Sequence, residues 1–423
     1  MPTGWWSWPR VSRGASNVRD YALVTAAYWS FTITDGALRM LVLLHLAATG
    51  HTPLAIASLF LFYELFGVVT NLVGGWLGAR SGLTLTLFAG LALQILACGS
   101  LAVPEAWLTV PYVMVSQGLS GIAKDLTKMS AKSYIKLVVP QGDGPRLLRW
   151  VSLLTGSKNT LKGVGFFLGA ALLSRVGFQG AVGGMAAALV VPLVVCIAFL
   201  PRAAGRTVAK PRWKALLSND ARVNRLSLAR FFLFGARDVW FVLALPLFLS
   251  ETLGWSFYEV GGFLALWVIG YGIVQTVAPR FVGAAPHGDA PRAPPTAASL
   301  AHWTGLLALP TATITAALWL GVPPGPALMV GLAFFGFVFA ANSAIHSYLI
   351  VHYAPPDRVS MTVGFYYMAN AAGRLLGTVL SGAVFQWAGG GLAGLIACVA
   401  TALALVLLSR IGCTALVRTE RSL

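Results

Sequence analysis

The stretch GGWLGARSG (74–82) contains the turn that decides the fold, because it separates two long apolar runs. These runs cover 54–78 and 83–103, and each is long enough to cross a bilayer, which takes about 20 residues of α-helix. The turn itself carries a single charge, Arg80. We therefore predict two transmembrane helices joined by a short loop at one face of a membrane.

The composition of the whole chain extends this prediction from two helices to twelve. Of the 423 residues, 57% are apolar and only 10% are charged, and the mean hydropathy is +0.77. Soluble domains contain about 25% charged residues, so these values exclude a soluble enzyme and a disordered or collagen-like chain. The predicted spans cover 21–48, 54–78, 83–103, 107–136, 147–173, 178–200, 226–250, 256–282, 300–321, 326–353, 359–386 and 390–411.

The distribution of arginine and lysine fixes the orientation of these spans. With the N-terminus in the cytoplasm, cytoplasmic segments contain twenty of these residues and external loops contain only Arg175. This asymmetry follows the positive-inside rule, so both termini are expected in the cytoplasm. The net charge of +17 is then mostly a consequence of topology, and no nucleic-acid partner is expected. The predicted parts are an N-terminal cytoplasmic segment (1–20), a six-helix bundle (21–200), a cytoplasmic linker (201–225), a second six-helix bundle (226–411) with a flexible cytoplasmic loop (283–299), and a cytoplasmic tail (412–423).

The two halves of the chain show weak internal similarity. At an offset of 203 residues Asp35 matches Asp238, and at an offset of 212 Lys162 matches Arg374. Such symmetry between two six-helix halves is typical of major facilitator transporters. We therefore predict an all-α membrane protein with twelve transmembrane helices in two pseudo-symmetric six-helix bundles, the major facilitator fold.

The loop at 74–82 resembles the conserved loop of that superfamily, which reads Gly-x-Leu-x-Asp-Arg-x-Gly. The positions that match are Gly75, Leu77, Arg80 and Gly82. Ala79 stands where the superfamily has Asp, so the usual charge relay of the loop is in question. The resemblance implies a gating role for Gly75, Arg80 and Gly82.

Charged residues inside the predicted spans indicate the class of substrate. A charge near the bilayer centre costs about 2.5–3.5 kcal/mol, so these side chains must face the protein interior or a hydrated cavity. The mid-span bases are Arg39, Lys124, Lys128, Lys158, Lys162, Arg237 and Arg374, and the mid-span acids are Asp35, Glu64, Asp125 and Asp238. This surplus of three positive charges favours a cavity that attracts small anions.

Each charged residue receives a predicted role and a structural alternative. Substrate binding is assigned to Arg39, Lys124, Lys158, Lys162, Arg237 and Arg374. A cytoplasmic anion track is assigned to Lys128, Lys132 and Lys136, the last two of which could instead be solvated at the cytoplasmic mouth. A proton or charge relay is assigned to Asp35, Glu64, Asp125, Asp238 and His346. Asp35–Arg39 and Arg237–Asp238 could equally be structural ion pairs, and His346 could be a helix–helix hydrogen-bond partner.

The sequence gives little support for a disulfide framework, a metal or cofactor site, or a catalytic site. The four cysteines, Cys98, Cys196, Cys398 and Cys413, are too scattered for a disulfide framework or a zinc site, and we expect no metal, cofactor or catalytic residue. The Gly-x-Ser-Gly pattern at 118–121 matches the nucleophile motif of rhomboid proteases. A membrane-embedded hydrolase therefore remains a remote alternative, and a non-transporting sensor is another.

Several long runs resemble the organoarsenical efflux permeases (ArsJ type) of bacterial arsenic-resistance operons. They include YWSFTITDGALRMLVLLHL (28–46), SGIAKDLTKMSAKSYIKL (120–137), LTGSKNTLKGVGFFLG (154–169) and LARFFLFGARDVWFVLALPLFL (228–249). The resemblance implies export of 1-arseno-3-phosphoglycerate across the bacterial inner membrane. A cytoplasmic glyceraldehyde-3-phosphate dehydrogenase would make this substrate, and we expect a monomeric carrier. An organophosphate or inorganic oxyanion transporter of the same fold is the main alternative.

Overall fold

The regular structure of the chain is helical throughout the part that can be described. The computed structural model describes residues 18–48, 53–202, 204–206, 220–283 and 293–422, without the side chains of residues 47, 48, 53–64 and 257. The helices are α1 (Val18–Ala48), α2 (Pro53–Ser81), α3 (Leu83–Ser100), α4 (Val110–Val138), α5 (Gly144–Phe199), α6 (Ala221–Phe241), α7 (Ala244–Leu247), α8 (Phe257–Val277), α9 (Ala297–Trp319), α10 (Pro324–Tyr353), α11 (Val359–Trp387) and α12 (Gly391–Arg421).

Two of the predicted spans, the fifth and the sixth, lie within α5. Gly177 interrupts the helix with φ of 71°, a left-handed conformation that costs glycine little because it has no Cβ. The seventh span is also irregular, because α6 is followed by the short α7 and a π-helical turn (Phe248–Thr252). With these two adjustments, the helices account for the twelve predicted spans. Length and hydropathy alone mark six segments of the described chain as able to cross a membrane.

The helices form two bundles whose cores are separate at one end of the molecule. One apolar cluster lies within the N-terminal bundle, around Leu38 and Leu101, and a second lies within the C-terminal bundle, around Phe248 and Phe335. A third and larger cluster includes residues of both bundles, such as Ile135 of α4. It lies at the end where the basic loops are, so the two bundles are closed against each other at that end.

The bundles meet along two pairs of helices that approach each other very closely. Between α5 and α8, a Cβ added to Gly156 would lie 2.6 Å from the carbonyl oxygen of Gly272. Between α2 and α11, a Cβ added to Gly364 would lie 2.7 Å from the carbonyl oxygen of Asn71. Contacts this short leave no room for a side chain, so the glycines allow backbone to approach backbone.

The ends of the predicted parts differ in places from the observed helices. α12 continues to Arg421, so the predicted tail is largely a helical extension of the last span. α6 begins at Ala221, where Asp220 caps it by accepting a hydrogen bond from the Arg222 amide at 2.8 Å. Residues 1–17, 207–219 and 284–292, within the predicted N-terminal segment, linker and flexible loop, lie outside the described residues.

Candidate functional site

A cavity of about 90 Å³ lies between the two bundles, near the middle of the spanning helices. It is lined from both halves of the chain, by α1, α2, α4 and α5 on one side and by α6, α8, α10 and α11 on the other. The lining residues used below are Lys124, Asp125, Lys128, Lys132, Lys158, Asn159, Lys162, Arg230, Arg237, Ser343, Tyr367, Asn370 and Arg374.

The charge of this cavity is strongly positive. Eight lysine and arginine side chains line it, against one aspartate, Asp125. Two further carboxylates, Asp35 and Asp238, reach lining residues from behind. Among the side chains that the structure describes, eight bases thus face three acids, a larger surplus than the sequence predicts. Glu64, a predicted member of this set, belongs to the residues whose side chains are not described.

In the N-terminal bundle, the aspartates are paired with lysines of the cavity wall. Lys162 of α5 lies 3.1 Å from Asp35 of α1, and Lys128 lies 2.6 Å from Asp125 within α4. Arg39 and Lys124 also interact electrostatically with Asp35, so this carboxylate is surrounded by three bases. Arg39 itself is not among the cavity-lining residues. Asp35 therefore partly compensates a cluster that remains positive.

In the C-terminal bundle, Asp238 bridges the two arginines that the sequence assigns to the substrate. Asp238 is fully buried, and its carboxylate accepts from Arg374 Nε at 3.0 Å and from the neighbouring Arg237. The predicted Arg237–Asp238 pair is thus present. Arg374 has an interhelical carboxylate partner that spacing along its own helix could not reveal.

Three bases of the cavity, Lys132, Lys158 and Arg230, have no carboxylate partner among the described residues. Lys158 makes no hydrogen bond or ion pair there, and the charges that act on it are all positive. Arg230 is 3% exposed, donates from Nε to Asn370 at 2.8 Å and from an NH group to Ser343 at 3.0 Å, and stacks on Phe234 at 3.9 Å. Its partners are neutral, so its positive charge is uncompensated.

Arg230 is absent from the residues that sequence analysis assigns to the substrate. Arg230 lies in the same span as Arg237, two helical turns earlier. Its predicted depth in the membrane does not distinguish a base that faces the cavity from one at the cytoplasmic end of the span. The sequence feature that could have identified Arg230 is the presence of the polar residues Asn370 and Ser343 in the facing spans. Their side-chain oxygens can accept hydrogen bonds from an arginine.

Comparison with known proteins identifies the family of the chain. The sequence model of the Major Facilitator Superfamily matches residues 23–323. The chain belongs to this superfamily. No curated protein matches the chain in sequence.

Solved structures of major facilitator proteins share the fold over nearly the whole chain. The human organic anion transporter MFSD10 (TETRAN) is 16% identical, with a TM-score of 0.71, 93% of this chain covered and 99% of the other. A bacterial homologue of the iron transporter ferroportin in an outward-facing state is 13% identical, with a TM-score of 0.70 and 95% and 100% covered. A variant of the E. coli fucose:proton symporter FucP is 13% identical, with a TM-score of 0.68 and 93% and 98% covered. At these identities the likeness establishes the major facilitator fold. The family match and the long apolar helices indicate a multi-pass membrane protein.

The predicted anion track connects the bundles at the basic end of the cavity. Lys132 is 3% exposed and donates to the hydroxyl of Tyr367 on α11, so the predicted solvated position at the mouth is wrong for this residue. Lys128 lies 4.6 Å from the centre of the same ring. Lys136 donates to the carbonyl oxygens of Val351 at 2.9 Å and His352 at 3.2 Å, near the end of α10. The contacts of Lys132 and Lys136 close the basic end of the cavity. Lys136 also lies against the partial negative charge at the C-terminus of α10.

The superfamily loop reinforces this closure. Ser360 at the start of α11 donates its hydroxyl to the carbonyl oxygen of Gly75 at 2.8 Å. Arg80 stacks over Trp76 at 5.0 Å, and Gly82 makes the turn into α3 with φ of 101°. In this conformation the loop contacts the opposite bundle through backbone and hydroxyl groups, without the aspartate that is usual at position 79.

The remaining sequence candidates are not among the residues that line the cavity. His346 is fully buried, and neither ring nitrogen has a hydrogen-bond partner among the described residues, so the predicted helix–helix hydrogen bond is absent there. Ser120 of the Gly-x-Ser-Gly pattern donates to the amide oxygen of Gln94 at 2.8 Å, a group that cannot act as a base. The described side chains contain no group of metal-ligating residues.

Proposed function

We propose that this protein is a secondary transporter that exports a small organic oxyanion from the cytoplasm, and that its substrate is 1-arseno-3-phosphoglycerate. The observation that carries the proposal is that uncompensated bases face the cavity from both bundles, with Lys158 in the N-terminal bundle and Arg230 in the C-terminal bundle. A buried positive charge without a counter-ion is costly, and an anion that contacts both side chains removes that cost. A substrate with a phosphate at one end and an arsenate ester at the other has a negative group for each bundle.

Alternating access follows from the position of these residues on opposite bundles. An anion that binds Lys158 and Arg230 together favours an approach of the bundles around it, which is the closure step of a rocking transporter. The fold accommodates such cargo, since one of the structures similar to this chain is an organic anion transporter. The resemblance of the charged runs to organoarsenical permeases narrows the class to the arsenylated compound.

The cellular setting belongs to the same proposal. A glyceraldehyde-3-phosphate dehydrogenase in the cytoplasm would supply the substrate, and export would confer arsenate resistance. The carrier would act as a monomer in the bacterial inner membrane, with both termini in the cytoplasm. The carboxylates Asp35, Asp125 and Asp238 would compensate the bases of the empty cavity.

Transport into everted membrane vesicles tests the proposal. The substrate is generated in the assay by glyceraldehyde-3-phosphate dehydrogenase with arsenate, and accumulated arsenic is measured. We expect uptake with the wild-type protein and a loss of about 10- to 100-fold in apparent affinity for Lys158→Gln and Arg230→Gln. A charge-assisted hydrogen bond contributes about 1.5–3 kcal/mol, and about 1.4 kcal/mol changes affinity tenfold. Arg175→Gln, an exposed base outside the cavity, is the matched control and should transport normally.

Two results would contradict the proposal. Uptake of inorganic phosphate or 3-phosphoglycerate in preference to the arsenylated compound would identify the alternative, an organophosphate or inorganic oxyanion carrier. Normal uptake by both cavity variants would show that the anion does not bind where the uncompensated charges are.

A further inference from the structure

A chain of hydrogen bonds connects the two bundles beside Arg230. Asn159 of α5 donates its amide to Gln275 Oε1 of α8 at 2.7 Å. Gln275 donates in turn to the hydroxyl oxygen of Ser343 on α10 at 3.2 Å. Arg230 donates to that same oxygen at 3.0 Å. The N-terminal bundle is thereby linked through two side chains to the guanidinium group of the opposite bundle.

The members of this chain position Arg230 without cancelling its charge. Gln275 and Ser343 are both fully buried, and both are neutral. A neutral amide or hydroxyl fixes the direction of a guanidinium, whereas a carboxylate such as Asp238 also neutralises it. Among the described residues, the hydrogen bonds of Arg230 to Asn370 and Ser343 use two of the five N–H groups that an arginine carries, which leaves three for a ligand.

The link between Asn159 and Gln275 depends on the separation of the bundles. It lies where α5 and α8 approach through Gly156 and Gly272, one turn of helix from each of the two bonded side chains. A donor–acceptor distance of about 3.6 Å no longer counts as a hydrogen bond, so a separation of these helices by about 1 Å breaks the link. The orientation of Arg230 is therefore coupled to contact between the bundles.

We propose that Gln275 is a positioning residue of the anion site, which holds the Arg230 guanidinium toward the cavity and ties its orientation to the approach of the two bundles. The ligand of the guanidinium is a phosphate- or arsenate-type oxyanion. This inference rests on the proposed function, because it deepens the site on which that function depends.

Binding and transport by the full-length protein test the role of Gln275. The probe is 3-phosphoglycerate, a stable oxyanion whose binding is measured by titration calorimetry on purified protein and whose KM is measured in proteoliposomes. Gln275→Met keeps the length of the side chain and removes both amide contacts, and Ser343→Ala removes the shared acceptor. We expect each to weaken binding about tenfold, the loss of one charge-assisted hydrogen bond, and to raise KM more than it lowers kcat.

Two further variants separate positioning from general packing. Gln275→Glu places a carboxylate on the far side of Ser343 from Arg230, and we expect it to weaken binding as much as Arg230→Gln does. Gln94→Met is the matched control, since Gln94 is an equally buried glutamine that bonds Ser120 away from the cavity. It should leave the affinity and the KM for 3-phosphoglycerate unchanged.

The outcomes distinguish this inference from the proposed function. If Arg230→Gln loses binding while Gln275→Met and Ser343→Ala keep wild-type affinity, the anion site stands and the positioning role is overturned. An equal loss in Gln94→Met also overturns it, because the effect would then be one of packing. If the wild-type protein binds neither 3-phosphoglycerate nor arsenate, the ligand class assigned to Arg230 is wrong and the inference is overturned. The proposed function itself fails only if the arsenylated compound is not taken up by everted vesicles.

Discussion

At the scale of single residues, the cavity contains two kinds of positive charge. Arg237 and Arg374 share the carboxylate of Asp238, and Lys162 is paired with Asp35. Lys158 and Arg230 form no such pair among the described residues. Residues of the first kind maintain the structure of the wall, and residues of the second kind are available to an anion. This distinction makes opposite predictions for stability and for transport.

Asp238→Asn tests the structural kind. The variant leaves two half-buried arginines without their fully buried carboxylate. Breaking a fully buried pair costs about 3–5 kcal/mol, which is the upper bound here. We expect a clearly lowered Tm in thermal unfolding of the purified protein in detergent. Asp357→Asn is the matched control, because Asp357 also pairs with the arginine that follows it but is 70% exposed. An exposed pair contributes about 0–1 kcal/mol, so its Tm should hardly change. Equal Tm values for the two variants would show that Asp238 is not needed to hold the arginines.

At the scale of helices, the sequence predicts the elements well and their partners poorly. Apolar runs and breakers place most spans within a few residues of the observed helix, because a run of apolar residues is a local property of the sequence. The last span is the exception, since α12 continues to Arg421. The spacing of Asp35 and Arg39 suggests a pair along α1, yet the structure adds Lys162 from α5. Such a contact depends on how two helices pack, which periodicity along one helix does not contain. For the same reason, sequence analysis leaves Arg230 out.

The packing of α1 against α5 can be tested at one glycine. A Cβ added to Gly165 would lie 2.5 Å from the carbonyl oxygen of Ile33, whereas a Cβ added to Gly184 of the same long helix meets no atom within 4 Å. Overpacking of a close contact costs about 1–3 kcal/mol. We expect Gly165→Ala to lower the Tm and the yield of monodisperse protein in size-exclusion chromatography. Gly184→Ala should behave as wild type, and equal behaviour of the two variants would contradict the close approach.

At the scale of the whole molecule, the bundles are closed at the end that carries the basic loops. Lys132, Lys136 and Ser360 each contact the opposite bundle there. With that end in the cytoplasm, as the positive-inside rule predicts, the structure is a state in which the cavity is shut to the cytoplasm. Lys132 lines the cavity and also forms one of these contacts, so an anion bound as proposed would lie beside a side chain that holds the closed end.

Cysteine labelling tests the orientation on which this assignment depends. The four native cysteines are buried, so the folded protein offers a low background of reaction. We expect a membrane-impermeant maleimide to label Ala106→Cys, in the loop between α3 and α4, in intact cells. Ser422→Cys, after α12, should react only once the cells are permeabilised. The reverse pattern would place the basic loops outside and invert the direction of transport.

The glycine contacts between the bundles have a consequence for speed. Where α5 meets α8 and α2 meets α11, several of the closest contacts at the glycines are backbone against backbone. Two such surfaces can tilt past one another without forcing buried rotamers through eclipsed angles, which would add about 0.5–1.5 kcal/mol for each side chain displaced. We then expect the rate of turnover to be limited by breaking the polar contacts at the closed end, and not by movement along the contacts of α5 with α8 and of α2 with α11.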